Sequence, residues 1–139
     1  FVQLPRKHQA LLLEGAAQLV FAKVSLKIRP LGVVLADANT ARARGTNRPG
    51  RADIDRCAEL VQAAARHLPV PTSCLSRSLA LQMMLRRRGI DSTMQIGVRT
   101  GDSALEAHAW VEYEGTAVGE SNEKVRAFSA FDRAARATR

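Results

Sequence analysis

Two side chains in this sequence have the type and surroundings for nucleophilic chemistry, Cys74 and His108. Cys74 follows Pro69-Val70-Pro71 and stands at the head of a stretch in which Leu79, Ala80, Met83, Met84 and Leu85 recur at helical spacing up to Gly89. Either Thr72 or Ser73 can cap that helix, which places Cys74 in its first turn. There, unpaired backbone amides and the positive end of the helix dipole stabilise a thiolate, the nucleophilic form of cysteine. Arg77, one turn on, adds a charge of the same sense, or simply points into solvent or pairs with an acid.

His108 belongs to the alternating run Ala107 to Tyr113, in which Ala109, Val111 and Tyr113 face one way and His108, Trp110 and Glu112 the other. A strand holds an imidazole rigidly, and cysteine proteolysis needs that imidazole beside the sulfur. It serves first as the partner of an ion pair and later as the acid that protonates the leaving amine. Its second ring nitrogen needs an acceptor, for which Asp102, Glu106, Glu112 and Glu120 are the candidates. Glu106 and Glu112 share strand parity with His108. Glu120 would lie across a hairpin turning at Glu114-Gly115, and geometry favours it. Trp110 either shapes the same cleft or is a core aromatic. The competing reading leaves Cys74 as a helix residue and His108 as a half-buried strand residue with no contact between them.

The elements needed to position these groups are legible as patterns. Leu11, Leu12, Leu13, Ala16, Leu19, Val20 and Ala22 predict an amphipathic helix over His8 to Lys23, with Pro30 limiting its extension. Leu31 to Ala38 is ambiguous, and the Gly-, Asn-, Pro- and Arg-containing segment Asn39 to Gly50 reads as a loop. Ala52 to His67 predicts a second helix with Ile54, Cys57, Leu60, Val61 and Ala64 on its buried face, so Cys57 reads as a small core hydrophobe. Beyond Gly89 the period changes to two. Strands are expected over Ser92 to Arg99 and Ala107 to Tyr113, with a third around Ala117 and Val118, and Phe128 and Phe131 packing the C-terminal segment onto the sheet. Helices followed by strands give an α+β class. The 139 residues suit one domain, with a helical region over 1–68 and a core over 69–139.

A formal charge of +8, from 21 Lys and Arg against 13 Asp and Glu, raises the question of nucleic acid. The basic residues are dispersed in groups, and aromatics make up only 4%, so no stacking platform is present and an acidic peptide or protein fits the charge equally well. Two cysteines suit a reducing compartment, and no apolar run reaches the ~18 residues of a membrane span, so a soluble cytoplasmic protein is expected. His8, Cys57, His67, Cys74 and His108 lack zinc-type spacing, and no metal or cofactor is expected.

Four blocks in order, Ser73-Cys74-Leu75-Ser76-Arg77-Ser78-Leu79-Ala80-Leu81, Leu85-Arg86-Arg87-Arg88-Gly89-Ile90, Ile96-Gly97-Val98-Arg99 and His108-Ala109-Trp110-Val111-Glu112, resemble the leader peptidases of lasso-peptide biosynthesis. These form a transglutaminase-like cysteine protease family. The resemblance covers about Pro69 to Glu120 and implies a transglutaminase/papain-like core with the nucleophile at a helix N-terminus and a small antiparallel sheet. It further implies Cys74 as nucleophile, His108 as base, and an orienting acid after Val118-Gly119, where the family commonly has an aspartate and this chain has Glu120. The implied substrate is a precursor peptide with a leader region. A separate leader-binding protein would deliver it, and an ATP-dependent cyclase, itself a candidate partner, would then close the ring. Alternatives of other kinds are a transglutaminase-like acyltransferase or amidase, and a non-catalytic basic binding module.

Overall fold

The computed structural model describes residues 5–30, 32–34, 50–68, 72–100, 104–120, 123, 125 and 128–130. Three helices, α1 (Arg6–Ile28), α2 (Arg51–His67) and α3 (Cys74–Arg87), precede four strands, β1 (Thr93–Thr100), β2 (Leu105–Tyr113), β3 (Thr116–Val118) and β4 (Ser129–Ala130). The sheet is antiparallel in the order β3-β2-β1-β4. This is the α+β arrangement the change of period implies.

Each helix stops for a local reason. α1 outruns its predicted end at Lys23 and closes at Ile28, where Arg29 turns extended ahead of Pro30, the backbone that a following proline imposes. The Pro30 carbonyl then accepts from the amides of Val33 and Val34, so Gly32 to Val34 forms one further helical turn. The rest of the ambiguous stretch, residues 35–38, and the predicted loop over 39–49 lie outside the described residues. Ser73, of the two candidate caps, is the one that caps α3: its Oγ accepts from the Ser76 amide at 3.1 Å while its own amide donates to Ser76 Oγ at 3.0 Å.

The main core joins all three helices to one face of the sheet through Leu19, Ile54, Val61, Met84, Met94 and Val111. Cys57 is buried there, 2% exposed, as its place on the apolar face of α2 requires. A smaller cluster on the other face of the sheet unites Trp110, Ala117, Val125 and Phe128. Strand parity does this sorting: Ala109 and Val111 face the helices, and Trp110 between them faces away. Phe128 packs as expected, while Phe131 lies outside the described residues.

One expectation changes. The helix α1 is apolar on more than its inward face: Leu19 and Ala22 are buried, whereas Leu13 and Val20 of the same predicted stripe point to solvent. No helix among the described residues is long and apolar enough to cross a membrane.

A polar clasp fastens α1 to the end of α3. Arg88 donates to both carboxylate oxygens of Glu14, at 2.9 and 2.6 Å, and Arg87 lies 3.7 Å away. The hydrogen bond from Arg88 and the charges of Arg88 and Arg87 hold the Glu14 carboxyl below its usual range, against the opposing effect of partial burial. Because the folded state favours the charged carboxylate, this stabilisation is present at neutral pH and is lost as pH falls through the depressed folded value. Glu14→Gln is therefore expected to cost about 1 kcal/mol at pH 7. Urea unfolding at descending pH is the check, and the gap to wild type should begin to narrow at about pH 4, where a free carboxyl takes up its proton, and close below the depressed folded value.

Candidate functional site

Cys74 and His108 line one cleft of about 390 Å³. Cys74 enters it as the first residue of α3, half-buried, with the capping pair Ser73 and Ser76 fixing the turn that carries it. His108 enters from β2 opposite Gly97 of β1. The cleft lies where β3 gives out: β3 pairs with β2 only over Val111 to Tyr113, so the part of β2 that bears His108 has no β3 partner. At that place the hydroxyl of Ser78 donates to the buried carbonyl of Ala109 at 3.0 Å. Ser78 lies one turn beyond Cys74 and Ala109 is next to His108, so this single bond ties the helix of the thiol to the strand of the imidazole.

Glu120 meets the imidazole. Both of its carboxylate oxygens lie 2.7 Å from His108 Nε2, with side chains only 13% and 17% exposed for His108 and Glu120. A carboxylate accepts only, so Nε2 donates to Glu120, and in the neutral ring Nδ1 keeps the lone pair. The remaining acidic candidates are placed elsewhere: Glu106 pairs with Arg99 at 2.6 Å, Glu112 accepts from Trp110 Nε1 at 3.0 Å, and Asp102 lies outside the described residues.

Glu120 does not reach His108 as a cross-strand neighbour in the way the hairpin pattern suggests. The turn at Glu114-Gly115 does join β2 to β3, but β3 ends at Val118 and Gly119 diverts the chain with φ of +75°. That left-handed backbone favours glycine, and a Cβ there would also sit 2.9 Å from the Cβ of Ala58. The bend at Gly119 is thus what delivers the acid.

Behind the imidazole stands an aromatic wall. The His108 ring stacks with Trp110 at 6.0 Å between centroids and 20° between planes, and lies 5.2 Å from Phe128. Arg99 covers the outer side of Phe128 at 4.7 Å. The two aromatics approach Gly97 so closely that a Cβ would fall 2.8 Å from both. Trp110 therefore answers to both of its readings, being 2% exposed in the smaller core and also a lining residue of the cleft.

Sequence reasoning passed over Gln62, whose side chain also lines the cleft and accepts from Arg77 at 3.4 Å. It stands on α2 among residues read only for their helical period, and nothing in its spacing marks it. Arg77, half-buried, donates to Gln62 and to the Ser73 carbonyl.

The two thiols are set apart by surroundings. Burial pushes the Cys57 thiol up, which keeps it in the unreactive protonated form. With native protein and limiting iodoacetamide at pH 7.5, Cys74 is expected to be alkylated and Cys57 spared until the chain is unfolded, as peptide mapping by mass spectrometry will reveal.

Comparison with curated proteins and with solved structures gives no match. The family comparison does: over residues 18–132, most of its length, the chain matches the family model of the transglutaminase-like superfamily, whose domains are typically cysteine proteases or acyltransferases, and it belongs to that superfamily.

Proposed function

We propose that the protein is a cysteine peptidase that removes the leader from a lasso-peptide precursor, using Cys74, His108 and Glu120 as its triad. The observation that carries the triad is the bond between His108 Nε2 and Glu120 in a cleft shared with Cys74. The peptide substrate rests on the four sequence blocks that resemble leader peptidases.

In this reading His108 Nδ1 takes the Cys74 proton and the thiolate attacks the carbonyl carbon at the leader junction, forming a C–S bond as the carbonyl π pair moves onto oxygen. Amides of the first turn of α3 stabilise that oxyanion. Collapse of the intermediate breaks the C–N bond, and His108 gives its proton to the departing amine, which is the new N-terminus of the core peptide. Water, deprotonated by His108, then hydrolyses the thioester and frees the leader. Glu120 keeps the ring in the tautomer with Nδ1 open and balances the imidazolium each time it forms.

The substrate reaches the cleft with a leader-binding protein, and the freed amine is the group a separate ATP-dependent cyclase would consume. Mass spectrometry of a precursor incubated with this protein and the leader-binding protein tests the reading. Cleavage at one bond supports it. A precursor that is bound by the partner yet stays intact eliminates it, and an added amine captured on the leader's new C-terminus would replace hydrolysis by acyl transfer.

A further inference from the structure

We infer that the outward face of α1 is the docking surface for the leader-binding partner, which presents an apolar groove edged with carboxylates. The inference rests on the proposed peptidase reading for the identity of the partner, and on α1 for the surface.

A helix that is apolar all round belongs in an interior. α1 packs Gly15, Leu19, Ala22 and Ser25 inward against α2 and α3. Its opposite side leaves Leu13 at 72%, Val20 at 48%, Phe21 at 59%, Val24 at 48% and Ile28 at 73% exposure. With 100° per residue these five fall on one stripe, about 22 Å from Leu13 to Ile28 at 1.5 Å per residue. Only two further large apolar side chains among the described residues are so exposed, Val33 and Leu105, and neither belongs to α1. Five such residues aligned, among them a phenylalanine, form the pattern of anchors a groove accepts from a helix.

Charge decides between occupants. The stripe ends in exposed bases, Arg6 and Lys7 at one end and Lys27 at the other. Glu14 is the one acid of α1, and it is engaged by Arg88 on the side toward α3. A second copy laid antiparallel would set Arg6 and Lys7 against Lys27, base on base, which charge repulsion disfavours. An acid-edged groove meets bases at both ends. A membrane surface is less well matched, because the exposed bases of α1 stand at its ends and its middle carries only the half-buried Lys23.

The test is calorimetric titration of the full chain with the leader-binding protein, at low and at raised salt. A complex is expected that Phe21→Ser combined with Val24→Ser weakens by about tenfold or more. Lys27→Glu should weaken it several-fold and flatten its salt dependence. Leu105→Ser, which alters a residue 74% exposed but off the stripe, should leave the affinity as it is. All variants change exposed residues, and continued sparing of buried Cys57 from alkylation confirms that each is folded. No binding by wild type, or equal binding by the stripe variants, overturns the inference. So does a wild-type dimer that the stripe variants dissolve, or binding to vesicles of anionic lipid that they abolish while the partner's affinity holds. Cleavage dependent on Cys74 without any effect of the stripe would leave the peptidase standing and remove the docking site. A stripe-dependent complex that cleaves nothing would do the reverse.

Discussion

Cys74→Ala is expected to abolish cleavage of the precursor, lowering the single-turnover rate by about 10⁴-fold or more, as removal of a nucleophile does where the remaining groups act only with it. The loss should be purely chemical. Cys74 is half-buried at the first helical position, its neighbours Ser73 and Ser76 supply the cap, and alanine is the best helix former, so the fold and its melting temperature should hold. Partner binding should also be intact, which makes this variant the means of trapping the precursor complex. Residual cleavage within tenfold of wild type would remove Cys74 from the mechanism.

The second large effect is expected at Glu120. Glu120→Gln preserves size but offers an amide NH₂ that can donate to His108 Nε2, which would move the ring proton to Nδ1, the nitrogen meant to receive the thiol proton. A fall in turnover of about 10² to 10⁴-fold follows from the wrong tautomer and the lost negative charge. KM should change little, since Glu120 acts on the imidazole. Glu120→Asp separates charge from reach: it keeps the carboxylate on a side chain shorter by one methylene, and should recover part of the rate that Glu120→Gln loses. Rapid-quench kinetics of the three proteins against one precursor decides the matter. Equal rates for wild type and Glu120→Gln would show that His108 needs no anionic partner.

Much of the architecture follows from short-range rules. The 3.6-residue period of Ile54, Cys57, Val61 and Ala64 is a local consequence of burying one helix face, and strand alternation sends Val111 and Trp110 to the two covered faces of the sheet. Proline and capping chemistry mark helix ends for the same reason, since each acts on backbone groups a few residues away. α1 was harder to read, because a pattern of apolar residues does not say how many faces will be covered. Its inward side is chosen by α2 and α3, which come later in the chain.

Which residues have suitable chemistry, and which element carries each, is legible from local pattern: a thiol at a capped helix start, an imidazole on a strand, and an acid just beyond a hairpin. The tertiary structure brings His108 and Glu120 into contact and sets Cys74 on the same cleft. The early end of β3, the left-handed bend at Gly119, the hydroxyl of Ser78 on the Ala109 carbonyl and the aromatic wall over Gly97 each depend on atoms from distant segments. Local pattern specifies the conformation of one element through contacts three or four residues apart. The distance between a helix end and a strand is set by long-range packing, which no local period encodes.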